Sequence, residues 1–224
     1  MTTPTPPQAD PDTALDQLDI ELADLEADLE AAIDDTLTDA ITAGVTAAAL
    51  LAATAALATL VTGALRDAWD AATTAAPRIA PDRPGTRPPA TPDDLTPDAV
   101  IETLAVREGI DHILRDAATR LNALDADRLT TLGQTFRRLL RDALTKLAAA
   151  VNHAFRAYAE PRRMELIWRT GSAAPCPTCL GRAGTVVAAA EEYAAEQGLW
   201  EWFGGLPPAH PNCRCRTVPV RAQR

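Results

Sequence analysis

Four cysteines, Cys176, Cys179, Cys213 and Cys215, fall within one forty-residue window near the end of a 224-residue sequence, and His210 stands three residues before Cys213. Two residues between Cys176 and Cys179 let one tight turn aim both sulfurs at a single tetrahedral ion. In an extended segment, Cys213 and Cys215 point to the same side and can reach that ion together. Thiolates with one imidazole suit zinc better than magnesium or calcium, which prefer oxygen. Four protein ligands leave no open position, so such a zinc would be structural. Five candidates stand for four places. The expectation is a four-cysteine site, with His210 beside it or replacing one sulfur.

Other chemistries account for the cysteines less well. The stretch Met1–Asp12 is rich in Pro and Thr and has neither a basic segment nor an early apolar core, so no secretory signal argues for disulfides. A redox Cys-x-x-Cys pair would be expected inside a βαβ pattern, and none surrounds Pro177 and Thr178. Four buried apolar cysteines would have no reason to cluster so closely.

The string Pro207-Pro208-Ala209-His210-Pro211-Asn212-Cys213-Arg214-Cys215 resembles the signature that closes the Mu F-like head morphogenesis (minor head) proteins of tailed phages. Trp168 followed by Cys176 and Cys179 is also like that family, as is a preceding helix bearing Asn152 and Arg156. The resemblance covers about residues 145–220. It implies a minor capsid protein of the virion, held at the portal or head interior and made in the bacterial host cytoplasm, with the portal or other head proteins as partners.

The elements that must carry this module are expected to be helical. Apolar residues make up 47% of the chain and aromatics only 4%, so Ala, Leu and Val dominate, a mixture that favours helices over an all-β fold. Residues 1–12 read as a disordered lead-in and 13–76 as an acidic, Ala-rich helical section. Residues 77–97, with seven prolines, read as a linker, 98–166 as a basic helical section and 167–224 as the Cys-rich module. The fold class is therefore mainly α, with a small zinc-stapled α+β module at the C-terminus.

In the first section a helix capped near Asp12 or Thr13 places Leu15, Leu18, Leu22, Leu25, Leu29, Ile33 and Leu37 on a near-heptad seam that needs a partner helix, in this chain or by self-association. Ala40–Leu65 has no charged residue over 26 positions, enough to span a bilayer, yet its threonines, glycines and alanines make a poor apolar segment. It is read as a small-residue helix packed within an assembly, with a membrane-inserted DNA-ejection protein as an alternative. Past the linker, Thr96-Pro97-Asp98 signals a helix start. That helix should run past Ile101, Leu104, Ile113 and Leu114, with Gly109 as its weak point. A longer one should follow from about Asp127 to Tyr158.

Charge is split along the chain. Residues 1–100 carry 18 acidic and 4 basic side chains, and residues 101–224 carry 13 and 17. The expectation is that the halves attract each other. The alternative, a zinc-dependent nucleic-acid-binding protein, would use the Arg137–Lys146 face and the Arg-rich tail on phosphates. Arg214 and Arg216 should face away from the metal and could meet an acidic partner. Trp168, Trp200, Trp202 and Phe203 are candidates for a small core around the metal, or for a partner anchor. No enzyme is expected. The sequence has no phosphate loop, nucleophile elbow or HExxH; His112 and His153 lie in helical stretches without a nucleophile nearby; and Glu191 and Glu192 diverge on a helix.

Overall fold

The computed structural model describes residues 10–44, 46–82, 89–121, 128–171, 175–191, 206–210 and 213–222. Most of them are helical. The helices are α1 (Pro11–Thr42), α2 (Ala47–Ile79), α3 (Pro97–Thr103), α4 (Val106–Leu121), α5 (Arg128–Ala159) and the short α6 (Pro177–Arg182). Three strands, β1 (Glu165–Arg169), β2 (Val186–Ala188) and β3 (Arg216–Val220), form an antiparallel sheet in the order β2-β1-β3.

Asp10 starts α1 by accepting the Asp12 N–H, so the helix begins a residue or two before the expected cap. Most of the lead-in lies outside the described residues. The seam residues Leu18, Leu22, Leu29, Ile33 and Leu37 are buried, with Leu15 and Leu25 packed at the margin. Each such side chain withdrawn from water contributes about 2 kcal/mol. The partner the seam requires is α2, folded back on α1.

The uncharged 40–65 stretch is not one helix. Gly44, at φ +92°, takes the left-handed conformation that closes α1, and Thr46 opens α2 by accepting the Ala49 N–H. Buried Leu57, Val61, Leu65, Ala68 and Trp69 then pack α2 against α1, α4 and α5. By length and composition α2 could cross a membrane, and about a third of its most apolar window is buried within the protein.

The Pro-rich linker is shorter than its composition suggests. Pro77 sits inside α2, which runs on to Ile79, and both Ile79 and Ala80 are buried. Asp93–Leu95 is a 3-10 turn with Leu95 in the core. The core is continuous from Ala14 to Val218, so the acidic and basic sections share it. Thr96 caps α3 as expected, accepting the Ala99 N–H. The break before α4 falls at Leu104–Ala105, where Ala105 has φ +46°, and not at Gly109. Gly109 is needed for space, since a Cβ there would stand 2.6 Å from Lys146 Nζ and 3.1 Å from Asp142 Oδ2.

Helix α5 spans 128–159 against an expected 127–158, and its second half is covered nearly all round. Ala149, Ala150, Ala154 and Ala159 let neighbouring elements come close to its backbone, while Phe155 fills the space between them. Tyr158 donates its hydroxyl hydrogen to Ala80 O at 2.7 Å, tying α5 to the end of α2. The sheet lies on this helix: Leu166 and Trp168, alternate residues of β1, are fully buried.

Candidate metal centre

The cysteine module is built on α6 and on the segment leading into β3. Cys176 caps α6, its Sγ accepting the Cys179 N–H at 3.4 Å, and one turn brings both sulfurs to the same point. Opposite them, the Cys213 N–H donates to His210 O at 3.0 Å, which keeps these two residues together. His210 Nε2 then lies 3.1 Å from Cys176 Sγ and 3.2 Å from Cys179 Sγ, and Cys179 Sγ lies 3.7 Å from Cys213 Sγ. The edge of a tetrahedron of sulfurs around a metal ion at 2.3 Å is about 3.8 Å, so the sulfur–sulfur spacing is right for shared ligation.

All five candidate ligands are brought together, in two overlapping triads. Cys176, Cys179 and His210 form one, and Cys179, Cys213 and Cys215 the other; within each, the ligand atoms lie within 4.8 Å of one another. Cys179 belongs to both and is buried, as are Cys213 and Cys215. The imidazole nitrogen lies within hydrogen-bond distance of both Cys-x-x-Cys sulfurs, close enough to share a metal with them or to hold them from beside it. The cysteines form no disulfide.

The electrostatics fit a cation. The Cys179 N–H lowers the Cys176 thiol to about 7, and a hydrogen bond from Cys215 lowers Cys213 to about 5. Burial pushes Cys179 up to about 12, and donation to Cys213 pushes Cys215 up as well. Four thiols this close cannot all ionise unaided, because each new thiolate repels the last. A dication among them removes that restriction.

Behind the ligands, Asn152 of α5 holds Cys215 and the start of β3 that follows it. It is fully buried, donates to Ala148 O at 2.7 Å and Cys215 O at 3.2 Å, and accepts from the Thr217 N–H and the Thr217 hydroxyl. The Thr217 contribution had no signal in sequence. Neither did that of Gly171, where an added Cβ would fall on the Arg214 carbonyl. Because the obstacle is backbone, no rotamer relieves it. Gly171→Ala is expected to cost about 3 kcal/mol, read as a lowered urea midpoint together with faster loss of metal to a chelator.

Arg214 and Arg216 point away from the ligands and meet acids of α1. Arg214 pairs with Glu26 at 2.8 Å, and Arg216 pairs with Asp19. Residues 19 and 26 are two helical turns apart, on one side of α1. The charge asymmetry of the sequence is thus used partly within the chain. Burial raises the Glu26 carboxyl above the usual range more than Arg214 lowers it. With a raised folded value, the stability linked to this proton is present at low pH and lost as pH rises through that value. Glu26→Gln should therefore raise the urea midpoint at pH 7 and leave it nearly unchanged at pH 4. A midpoint lower at pH 7 would show that the ion pair outweighs the cost of burial.

His153 is held neutral, its value lowered to about 4 by burial and then by Arg156, and its Nδ1 finds no hydrogen-bond partner among the described residues. His112 is exposed on α4. Trp168 is core; Trp200, Trp202, Phe203 and Glu192 lie outside the described residues.

Fold and cluster together define a mainly helical protein with a small antiparallel sheet and a Cys/His centre that could hold a metal ion. No family model, curated protein or solved structure matches the chain.

Proposed function

We propose that the chain is a non-enzymatic minor head protein of a tailed phage or prophage, acting in head assembly at the portal or head interior, with its C-terminal module stapled by a structural zinc. The observation that carries this reading is the meeting of His210, Cys213 and Cys215, from the string that resembles the Mu F-like signature, with Cys176 and Cys179. Sulfur-rich ligation with one imidazole selects zinc over oxygen-seeking cations, and a full protein shell suits a staple. The test has two parts. Elemental mass spectrometry of the purified protein should find about one zinc per chain. Peptides of this chain should be found in particles purified after induction of the host. Particles that form normally and lack the chain would overturn the assembly role; cysteines oxidised in pairs, without zinc, would overturn the staple.

The nucleic-acid alternative draws less support from the basic helical section. Arg138, Lys146, Arg156 and Arg162 are engaged with Asp116, Asp142, Glu160 and Asp82 respectively, which leaves fewer cations for phosphates. The seam of α1, the expected route to self-association, is covered by α2.

A further inference from the structure

The far end of the α1–α2 hairpin carries a surface that the metal reading does not use. Residues 1–65 include no Lys, Arg or His. Near the tail, Asp19 and Glu26 are answered by Arg216 and Arg214. Further along α1, Asp28, Asp35 and Asp39 are exposed and make no ion pair among the described residues. Their spacing of seven and four puts all three on one side of the helix.

Beside that acidic edge runs an apolar groove of about 310 Å³ between the two helices. Ala40, Ala49, Ala52, Ala53 and Ala56 contribute to its lining, and Asp39 lies on it. On α2, Leu60 stands seven residues after Ala53 and four after Ala56, on the same face of the helix, and is 39% exposed. An alanine-lined trough lets another helix come close, and a bare leucine in line with it loses free energy in water. A second copy of the chain would bring a further unneutralised acidic edge to the contact. A cation-bearing partner removes both costs.

We infer that this groove docks an amphipathic helix of a partner protein, one that presents a small apolar stripe flanked by Lys or Arg. The stripe lies on the alanines, and the flanking cations meet Asp28, Asp35 and Asp39. The inference is independent of the metal, because no groove residue is a cluster residue.

The probe is a fluorescent, roughly 18-residue helical peptide, about five turns long, with a Leu/Ala stripe flanked by Lys; its control carries Glu in place of Lys. Both are titrated against the full chain. The Lys peptide should bind, and its affinity should fall with salt. Ala52→Gln with Ala56→Gln fills the groove without disfavouring helix. Asp28→Asn with Asp35→Asn and Asp39→Asn removes the charged edge. Each set should weaken binding about tenfold or more, a change near 1.4 kcal/mol, while circular dichroism stays unchanged. Equal binding of the two peptides, or of the groove-filled and native chains, overturns the inference. So does a dimer that the groove-filling pair dissolves, which would assign the groove to a second copy, or flotation on neutral vesicles that the same pair abolishes, which would assign it to lipid.

Discussion

Replacing Cys179 with serine is expected to release the metal and lower the melting temperature more than any other single change in the module. The expectation rests on the zinc reading and on one geometric fact, that Cys179 is the member common to both ligand triads. Cys176→Ser or Cys215→Ser removes one corner from one triad, and the spare fifth candidate can take its place. Cys179→Ser removes a corner from both. Isolated zinc-finger peptides bind zinc with roughly 10–16 kcal/mol. Here Leu166 and Trp168 also hold the sheet on α5, so part of the module survives without metal. A loss on the order of 5 kcal/mol follows, equivalent to a fall of about 10–20 °C for a chain of this size. Calorimetry on zinc-loaded proteins, with zinc release followed by a colorimetric chelator, makes the comparison. If Cys179→Ser behaves like Cys176→Ser, the shared-ligand account fails.

Asn152→Ala should be the most damaging change outside the cysteines. The side chain serves the Cys215 carbonyl, the Thr217 N–H and the Thr217 hydroxyl from a fully buried position. Truncation leaves those groups without a partner and without water, at about 1–3 kcal/mol each. Relaxation of the strand recovers part of this, and a net loss of about 4 kcal/mol is expected in urea unfolding. Asn152→Leu separates the causes, because it restores volume but no hydrogen bonds. Equal damage from both variants assigns the effect to the bonds; full recovery by leucine assigns it to the cavity and removes the anchoring role.

What the sequence disclosed, and what it concealed, follows from the range of the interactions involved. The seam of α1, the Thr96 cap and the extent of α5 are local patterns, each a repeat or a capping residue at fixed spacing, and they were legible. The cysteine cluster was legible for the same reason, since each half-site is a short spacing rule. The turn at Gly44 was not, because it interrupts a run of Ala and Thr that reads continuously as helix. The break at Ala105 was also hidden: alanine seldom takes a positive φ, and the conspicuous glycine four residues on serves Lys146 and Asp142 instead. The closeness of Gly171 to Arg214 joins distant parts of the chain, and no spacing rule encodes it.

The ion pair between Asp19 and Arg216 spans 197 positions of the chain. A ribosome adding about 5–20 residues per second delivers the arginine roughly 10–40 s after the aspartate. Within that interval α2 emerges and α1 can fold back on it, but Asp19 still lacks the arginine it pairs with in the finished fold. Closure of the two ends is thus a late event in the birth of each molecule, its earliest moment set by the separation of Asp19 and Arg216 along the chain.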